Sequence, residues 1–346
     1  MRARVAAKWL LAHSLRATGI LYWARRHLLR RRARFVLTFH RILPESARDR
    51  ACSPAGMCVS GPVFAQLIRY LESAYCIQRL EEAAPDPGSG RPGVAITFDD
   101  GWRDNLPHLR ALDQAGHPVV VFLVTGRMDM RFPFWPERVV WMARQAGQSS
   151  EMSRRFKETF ADANLRWEPA SGPAVLLEAL KQLSEAERES QVARWDREFW
   201  DERSALGCDP LASTISWEEA RAFRGTNIRF GSHTVSHPLL DQTANTTAEL
   251  AGSLQDLQAQ LGKDSDVLAY PNGNWTPAVR AAAESAGYRW ACTTEERCQL
   301  PEGDPLLIPR FNMSDGKLVN PWGRFSPAVF EFATVWKAWR ALRSTG

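Results

Sequence analysis

Residues 93–124 read GVAITFDDGWRDNLPHLRALDQAGHPVVVFLV. The stretch opens and closes in apolar runs, GVAITF (93–98) and HPVVVFLV (117–124). Neither run alternates with polar residues, so each suits a strand buried on both faces. Between them, residues 104–116 read as a helix closed by Gly116. Strand, helix and strand at this interval form a βαβ unit, which implies a parallel sheet. Two acids, Asp99 and Asp100, sit side by side where the first strand ends. Adjacent carboxylates repel each other, and a strand end gains nothing from them. They either cap the segment that follows or do chemistry.

The same rhythm extends on both sides. RFVLTFH (34–40) is a short β-rich run, and residues 62–81 have helical character. NIRFG (227–231) reads as a strand leading into SHTVSH, and residues 246–261 as a helix. VLAYPNG (267–273) is a strand and loop, TPAVRAAAESAG (276–287) a helix with a glycine stop, YRWACTT a strand, and LLIPRF (306–311) the last strand. Repeated parallel β/α units of this number predict a barrel, with chemistry at the C-terminal ends of the strands. Residues 127–212 break the rhythm. They are charged and helix-rich, carry Trp135, Trp141, Trp167, Trp195 and Trp200, and read as an inserted helical subdomain. Ser216-Trp-Glu-Glu219 is a capping box that opens another helix. The expected organisation is a basic amphipathic helix over 1–33, a barrel over 34–319 and a helical tail over 320–346. The tail carries Trp322, Trp336 and Trp339 and either covers the barrel or touches a membrane.

The chain has 346 residues, 45% of them hydrophobic, enough for a large core. Its net charge of +5 conceals an asymmetry. Residues 1–50 hold 13 Lys and Arg against Glu45 and Asp49, a charge of +11, which leaves −6 for the remainder. A mildly acidic body does not suit nucleic-acid binding. The apolar part of the first segment, Trp9 to Ala24, is 16 residues long and contains Arg16. A spanning helix needs about 20 apolar residues, and no small-residue cleavage site marks a removable signal peptide. Trp9, Leu10, Leu21, Trp23 and Leu28 on a basic helix fit an interfacial helix on anionic lipid. The competing reading is a helix docked on the body with its charges solvated. The six cysteines (Cys52, Cys58, Cys76, Cys208, Cys292, Cys298) include no CxxC pair, and free thiols are expected. Together these features imply a cytoplasmic protein, peripheral at the inner membrane face.

A second signal is Gly231-Ser-His-Thr-Val-Ser-His237, two imidazoles four apart just after a strand. On a helical turn both can point at one metal ion. They could instead cap a helix and face solvent. With an Asp from another strand end they make a His₂-Asp set, whose open position for water is the catalytic arrangement. A metal bound by one acid would relieve the repulsion between the two, leaving the other free to act as a base.

TFDDG (97–101) and SHTVSH (232–237) resemble the polysaccharide deacetylases with a NodB-homology domain, over residues 34–312 interrupted by the insertion. The resemblance implies an α/β fold, a deformed (β/α)₇ barrel. It implies a metal-dependent hydrolase that removes N-acetyl or other N-acyl groups from amino sugars. Asp99 becomes the general base, and Asp100, His233 and His237 the ligands of a divalent metal, zinc first, with cobalt or nickel as alternatives. The family's Arg-x-Pro-Tyr-Gly motif matches Ala269-Tyr270-Pro271-Asn272-Gly273, which keeps Pro and Gly and lacks Arg. Arg310 in IPRF is the nearest replacement to orient Asp99 and keep it ionised. The backbone N–H of Asn272 is a candidate oxyanion donor. The family's acid-next-to-Trp motif has no match; GYRWACTTEE offers only Trp290. Its last motif, an apolar strand ending in His, is missing after His237, yet Val36-Leu37-Thr38-Phe39-His40 has that form at the other end of the chain. A barrel closes on itself, so His40 can fill that place as the general acid. His13, His27, His108 and His117 are expected to be structural or exposed. Trp102, Tyr270 and Trp275 are the aromatics expected to stack on sugar. The implied substrate is an acylated amino-sugar glycan or glycolipid of an envelope polysaccharide. Two alternatives stay open: a deformylase or amidase acting on another C–N bond, and an inactive glycan-binding protein.

Overall fold

The computed structural model describes residues 2–344 apart from 55, 86, 161–166 and 263–264. Its strands are β1 (Arg34–Phe39), β2 (Arg41–Leu43), β3 (Cys58–Ser60), β4 (Cys76–Ile77), β5 (Gly93–Phe98), β6 (Val119–Leu123), β7 (Ile228–Ser232), β8 (Val267–Ala269), β9 (Trp290–Cys292) and β10 (Phe311–Asn312). One parallel sheet runs β10-β1-β5-β6-β7-β8-β9, with β4 paired to the start of β5; β2 and β3 pair separately. The sheet curls towards closure. Cys292 of β9 bridges Ile308, and the same segment then pairs with β1, Leu37 opposite Phe311 and Thr38 opposite Asn312. The strand expected over 306–311 is reduced to this thin seam, because Pro309 has no N–H to donate.

The buried runs carry two faces. Phe35, Leu37 and Phe39, with Val94, Ile96 and Phe98, point outward into a core shared with Leu67 and Leu71 of the helix Gly61–Ala74 and Leu109 of the helix Leu106–Gln114. Val36, Ala95, Val120, Phe122, Val267 and Ile308 fill the inside of the curl. The interior is narrow where β6, β7 and β8 meet. A Cβ on Gly231 would lie 2.9 Å from the Phe122 ring and 2.8 Å from the Val267 carbonyl, so only glycine fits there.

Among the described residues, 135–208 supply five α-helices: Trp135–Ala146, Ser150–Glu158, Pro173–Lys181, Glu185–Phe199 and Glu202–Cys208. They enclose a separate core that includes Trp141, Phe156, Phe160, Trp167, Leu176 and Trp195. Ser149 and Ser184 cap two of them, Ser184 in a full capping box. Ser216 does the same for Trp217–Arg221, as its sequence predicts.

The N-terminal segment is two helices, not the single one expected: α1 (Arg2–Ala17) and α2 (Ile20–Arg30). The break is at Gly19, whose φ of 77° ends the helical path. One face of the pair docks on the tail. Ala12 packs on Ala328 and Val329, and Arg16 and Arg25 reach Glu331 at 3.2 and 3.5 Å. The outer face leaves Leu10, Leu11, Ile20, Tyr22 and Trp23 exposed, and Trp322 beside Trp9 adds another exposed ring. The tail is helical over Pro327–Glu331, Phe332–Trp336 and Lys337–Ser344. No helix among the described residues is long and apolar enough to cross a membrane. All six cysteines are free thiols.

Candidate active site

Alternation along the first two central strands decides which side chains reach the site. The inward positions of β1 run Val36, Thr38, His40, and those of β5 run Ala95, Thr97, Asp99. The Asp99 N–H donates to the Phe39 carbonyl at 2.9 Å, so the register continues past both strand ends. Arg310 enters from the seam and is fully buried. Its guanidinium is bidentate on Asp99, Nη1 to Oδ1 at 2.7 Å and Nη2 to Oδ2 at 2.8 Å. It also donates to Thr38 Oγ1, Thr97 Oγ1 and the Thr293 carbonyl. Burial pushes the Asp99 carboxyl up. The Arg310 charge and hydrogen bonds, helped by His233 and His40, outweigh it and hold the group below the usual carboxylate range. Asp99 is therefore ionised.

Asp100 breaks the alternation, with a left-handed φ of 70°. Its Oδ1 lies 3.6 Å from His233 Nε2 and 3.7 Å from His237 Nε2. The expected helical turn for SHTVSH is absent. The segment is an irregular loop in which Thr234 and His237 adopt left-handed backbone, and this brings the two rings to 4.7 Å. Glu249 holds the loop by accepting the N–H groups of Val235 and Ser236, both at 2.9 Å. Asp100, Thr234, His237 and Asn272 are four of the seven described non-glycine residues with positive φ. Such strain gathers where a surrounding structure imposes it for function.

Whether these residues suit a metal can be tested on the donors. His233 Nδ1 lies 2.7 Å from the Ala269 carbonyl, which fixes the proton there and leaves the Nε2 lone pair facing Asp100. Burial lowers both imidazoles to about 4, so they are neutral at pH 7, the form that ligates. The donor atoms of Asp100, His233 and His237 form one group, and the 3.6 and 3.7 Å from Asp100 Oδ1 to the two Nε2 atoms suit bonds of about 2.0–2.2 Å to one shared ion. The set fits.

His40 borders the same site. Its Nδ1 is buried with no hydrogen-bond partner among the described residues, and the ring is near enough to act electrostatically on Asp99 and His237. Asn272 sits on the short turn Pro271–Gly273 with φ 56°, its carbonyl held by the Thr294 hydroxyl at 2.9 Å. Two expectations are corrected. Trp102 and Tyr270 are 1% and 0% exposed and present no free ring to a sugar. Trp102 lies against the Arg41 guanidinium, 4.6 Å from its centroid, and Tyr270 donates its hydroxyl to the Leu306 carbonyl. Trp275 is half-buried and remains available. Arg41, Asp104, Asn105, Asp209 and Glu249 surround the site without having been singled out from the sequence. The one available signal was Arg41, a charge in an apolar run directly after His40.

The polysaccharide deacetylase family profile matches residues 87–291, more than half of the chain. The chain belongs to the polysaccharide deacetylase family and is a hydrolase acting on carbon–nitrogen bonds. Solved structures are similar to it at low identity. The Streptococcus pyogenes deacetylase PplD in complex with acetate is 16% identical, with 85% of this chain and 99% of that one covered and a TM-score of 0.50. The putative polysaccharide deacetylase BA0330 from Bacillus anthracis is 16% identical, with 80% and 64% covered and a TM-score of 0.48. IcaB from Ammonifex degensii is 17% identical, with 82% and 92% covered and a TM-score of 0.48. No curated protein matches the chain significantly.

Proposed function

We propose that this deacetylase-family chain is a metal-dependent N-deacetylase of an amino-sugar glycan, with Asp99 as base and His40 as acid. The observation that supports it best is the division of labour between neighbours. Arg310 engages both oxygens of Asp99, while Asp100 turns away to His233 and His237. One carboxylate is thus kept out of the ligand set and ionised.

A divalent ion held by Asp100, His233 and His237, zinc in this reading, supplies Lewis-acid polarisation and a more acidic water. Asp99 accepts the proton as water adds to the amide carbonyl. That proton is then passed on, which restores the carboxylate. The Asn272 N–H steadies the oxyanion. The C–N bond then breaks as His40 delivers a proton to the nitrogen, releasing the free amine and a carboxylate. Trp275 is the ring offered to the sugar face. In this reading Arg310 takes the place of the motif arginine missing before Tyr270, which weakens one of the two arguments for an inactive glycan-binding protein, the other being the unmatched acid-next-to-Trp motif.

The finer substrate in this reading is a lipid-linked glycan at the inner membrane face. Its support is the outer face of α1 and α2, where Trp23 is 73% exposed and Arg26 and Arg30 lie beside the apolar residues. Vesicles containing anionic lipid should sediment the protein, and Trp23→Ser with Leu10→Ser should release it; equal binding by the variant would remove this part.

The central test is metal content by mass spectrometry, wild type beside His233→Ala, followed by amine release from acylated amino-sugar oligomers. About one ion per chain, lost in the variant, with turnover abolished by Asp99→Asn, is the expected result. Metal-free wild type after incubation with zinc, cobalt or nickel would overturn the mechanism.

A further inference from the structure

The insertion has no task in the mechanism, yet one of its residues reaches the site through buried contacts. Its last helix, Glu202–Cys208, delivers Asp209 to Arg41. Arg41 is 0% exposed and holds two carboxylates, Nη1 to Asp209 Oδ2 at 2.7 Å and Nε to Asp104 Oδ2 at 2.7 Å. Nη2 adds a contact of 3.1 Å to Asp209 Oδ1, and Ser53 Oγ accepts from Nη1 at 2.9 Å. The guanidinium face lies on the Trp102 ring, and the Trp102 indole N–H donates to Asp100 Oδ2 at 3.1 Å. That oxygen is the one not nearest the imidazoles. The other side of Arg41 is the backbone of His40, whose carbonyl accepts from Asn105 Nδ2 at 2.6 Å.

We infer that Asp209, Arg41 and Trp102 form a positioning relay through which the insertion orients Asp100. The inference rests on the metal-site reading above. Asp209 sets the guanidinium, the guanidinium clamps the indole ring, and the indole N–H fixes one carboxylate oxygen so that the other faces His233 and His237. A ligand whose second oxygen is left to rotate binds metal more weakly. Holding the insertion in place would not by itself call for this arrangement, because buried ion clusters add little stability over apolar packing of the same volume.

The test uses the full chain and zinc affinity, read by competition with a chromophoric chelator, in wild type, Trp102→Phe, Asp209→Asn and the double variant. Each single change should raise the zinc Kd about tenfold or more. It should lower kcat with little change in KM. The double variant should bind zinc no more weakly than the weaker single, because both act through one path. Wild-type zinc affinity in both single variants, with only the melting temperature lowered, would make the cluster an anchor and overturn the relay. So would additive losses in the double variant. Should Asp209→Asn not fold, Trp102→Phe decides alone, since it keeps a ring under Arg41 and removes the N–H donor. Failure of the wild type to bind zinc would instead strike the metal-site reading, and the relay with it.

Discussion

Inside the insertion, the Phe156 ring lies tilted against Trp195 at 5.0 Å, Phe160 and Trp167 close around them, and the Trp195 N–H finds the Thr159 hydroxyl. At the strand ends of the barrel, burial falls on charge instead: Asp99, Asp100, His233 and Arg310 are all buried within one cluster. The first region reaches its fold by apolar area and is tolerant of which aromatic fills which gap. The second carries groups whose desolvation is offset only by specific partners. A single lost atom should therefore act on chemistry in the second region and on stability alone in the first.

The largest effect is expected from Asp99→Asn, a loss of about 10²–10⁴-fold in kcat/KM. The same change strips Arg310 of its counter-charge and costs about 3–5 kcal/mol in urea unfolding. Asp99 titrates lower in the folded chain than its unfolded value near 3.9. Its stabilisation is thus fully present above about pH 4 and fades as pH falls further. Wild type and variant should converge in acid, and a pH-independent gap would mean that the ion pair is not its source. Trp195→Ala should cost about 3–5 kcal/mol yet leave metal content per folded chain unchanged; metal loss there would erase the contrast between the regions. His40→Gln should lower kcat by about 10²-fold with KM little altered, and a pure KM effect would recast His40 as a binding group. The smallest effect is at the boundary. Glu137, on the first insertion helix, is raised by burial to about 8 despite the opposing charge of Arg41. Stability is therefore lost as pH rises from about 4 through 8. Thermal melts should show Glu137→Gln gaining on wild type across that window, by about 1 kcal/mol or more. A constant difference would mean that Glu137 is already ionised.

Much of the barrel was legible because its signals are local. The non-alternating runs at 93–98 and 117–124 became β5 and β6, and the acids fell at a strand end because strand length is short and fixed. His40 and Arg310 could be named because a barrel makes its first and last strands neighbours, and β10 does pair with β1. What the sequence hid was conformational or remote. Nothing in SHTVSH announces left-handed Thr234 and His237, and helical spacing was the natural, mistaken inference. Trp102 and Tyr270 carry the right rings for sugar, but residue type does not reveal burial. Arg41 and Asp209 are 168 positions apart, and no periodicity links residues at that range.

The seam between β1 and β10 also sets a timetable. Asp99 and Arg310 are separated by 211 positions, so a ribosome adding residues at ordinary rates makes the guanidinium about 10–40 s after the carboxylate it serves. Throughout that interval β1 has one unpaired edge, open to any strand in reach. The closing contact, Leu37 beside Phe311, also joins residues far apart in sequence and so is slow to form. A nascent chain thus carries both acids but no means of keeping one of them charged inside the fold. The exposed β1 edge is the place where misassembly should begin.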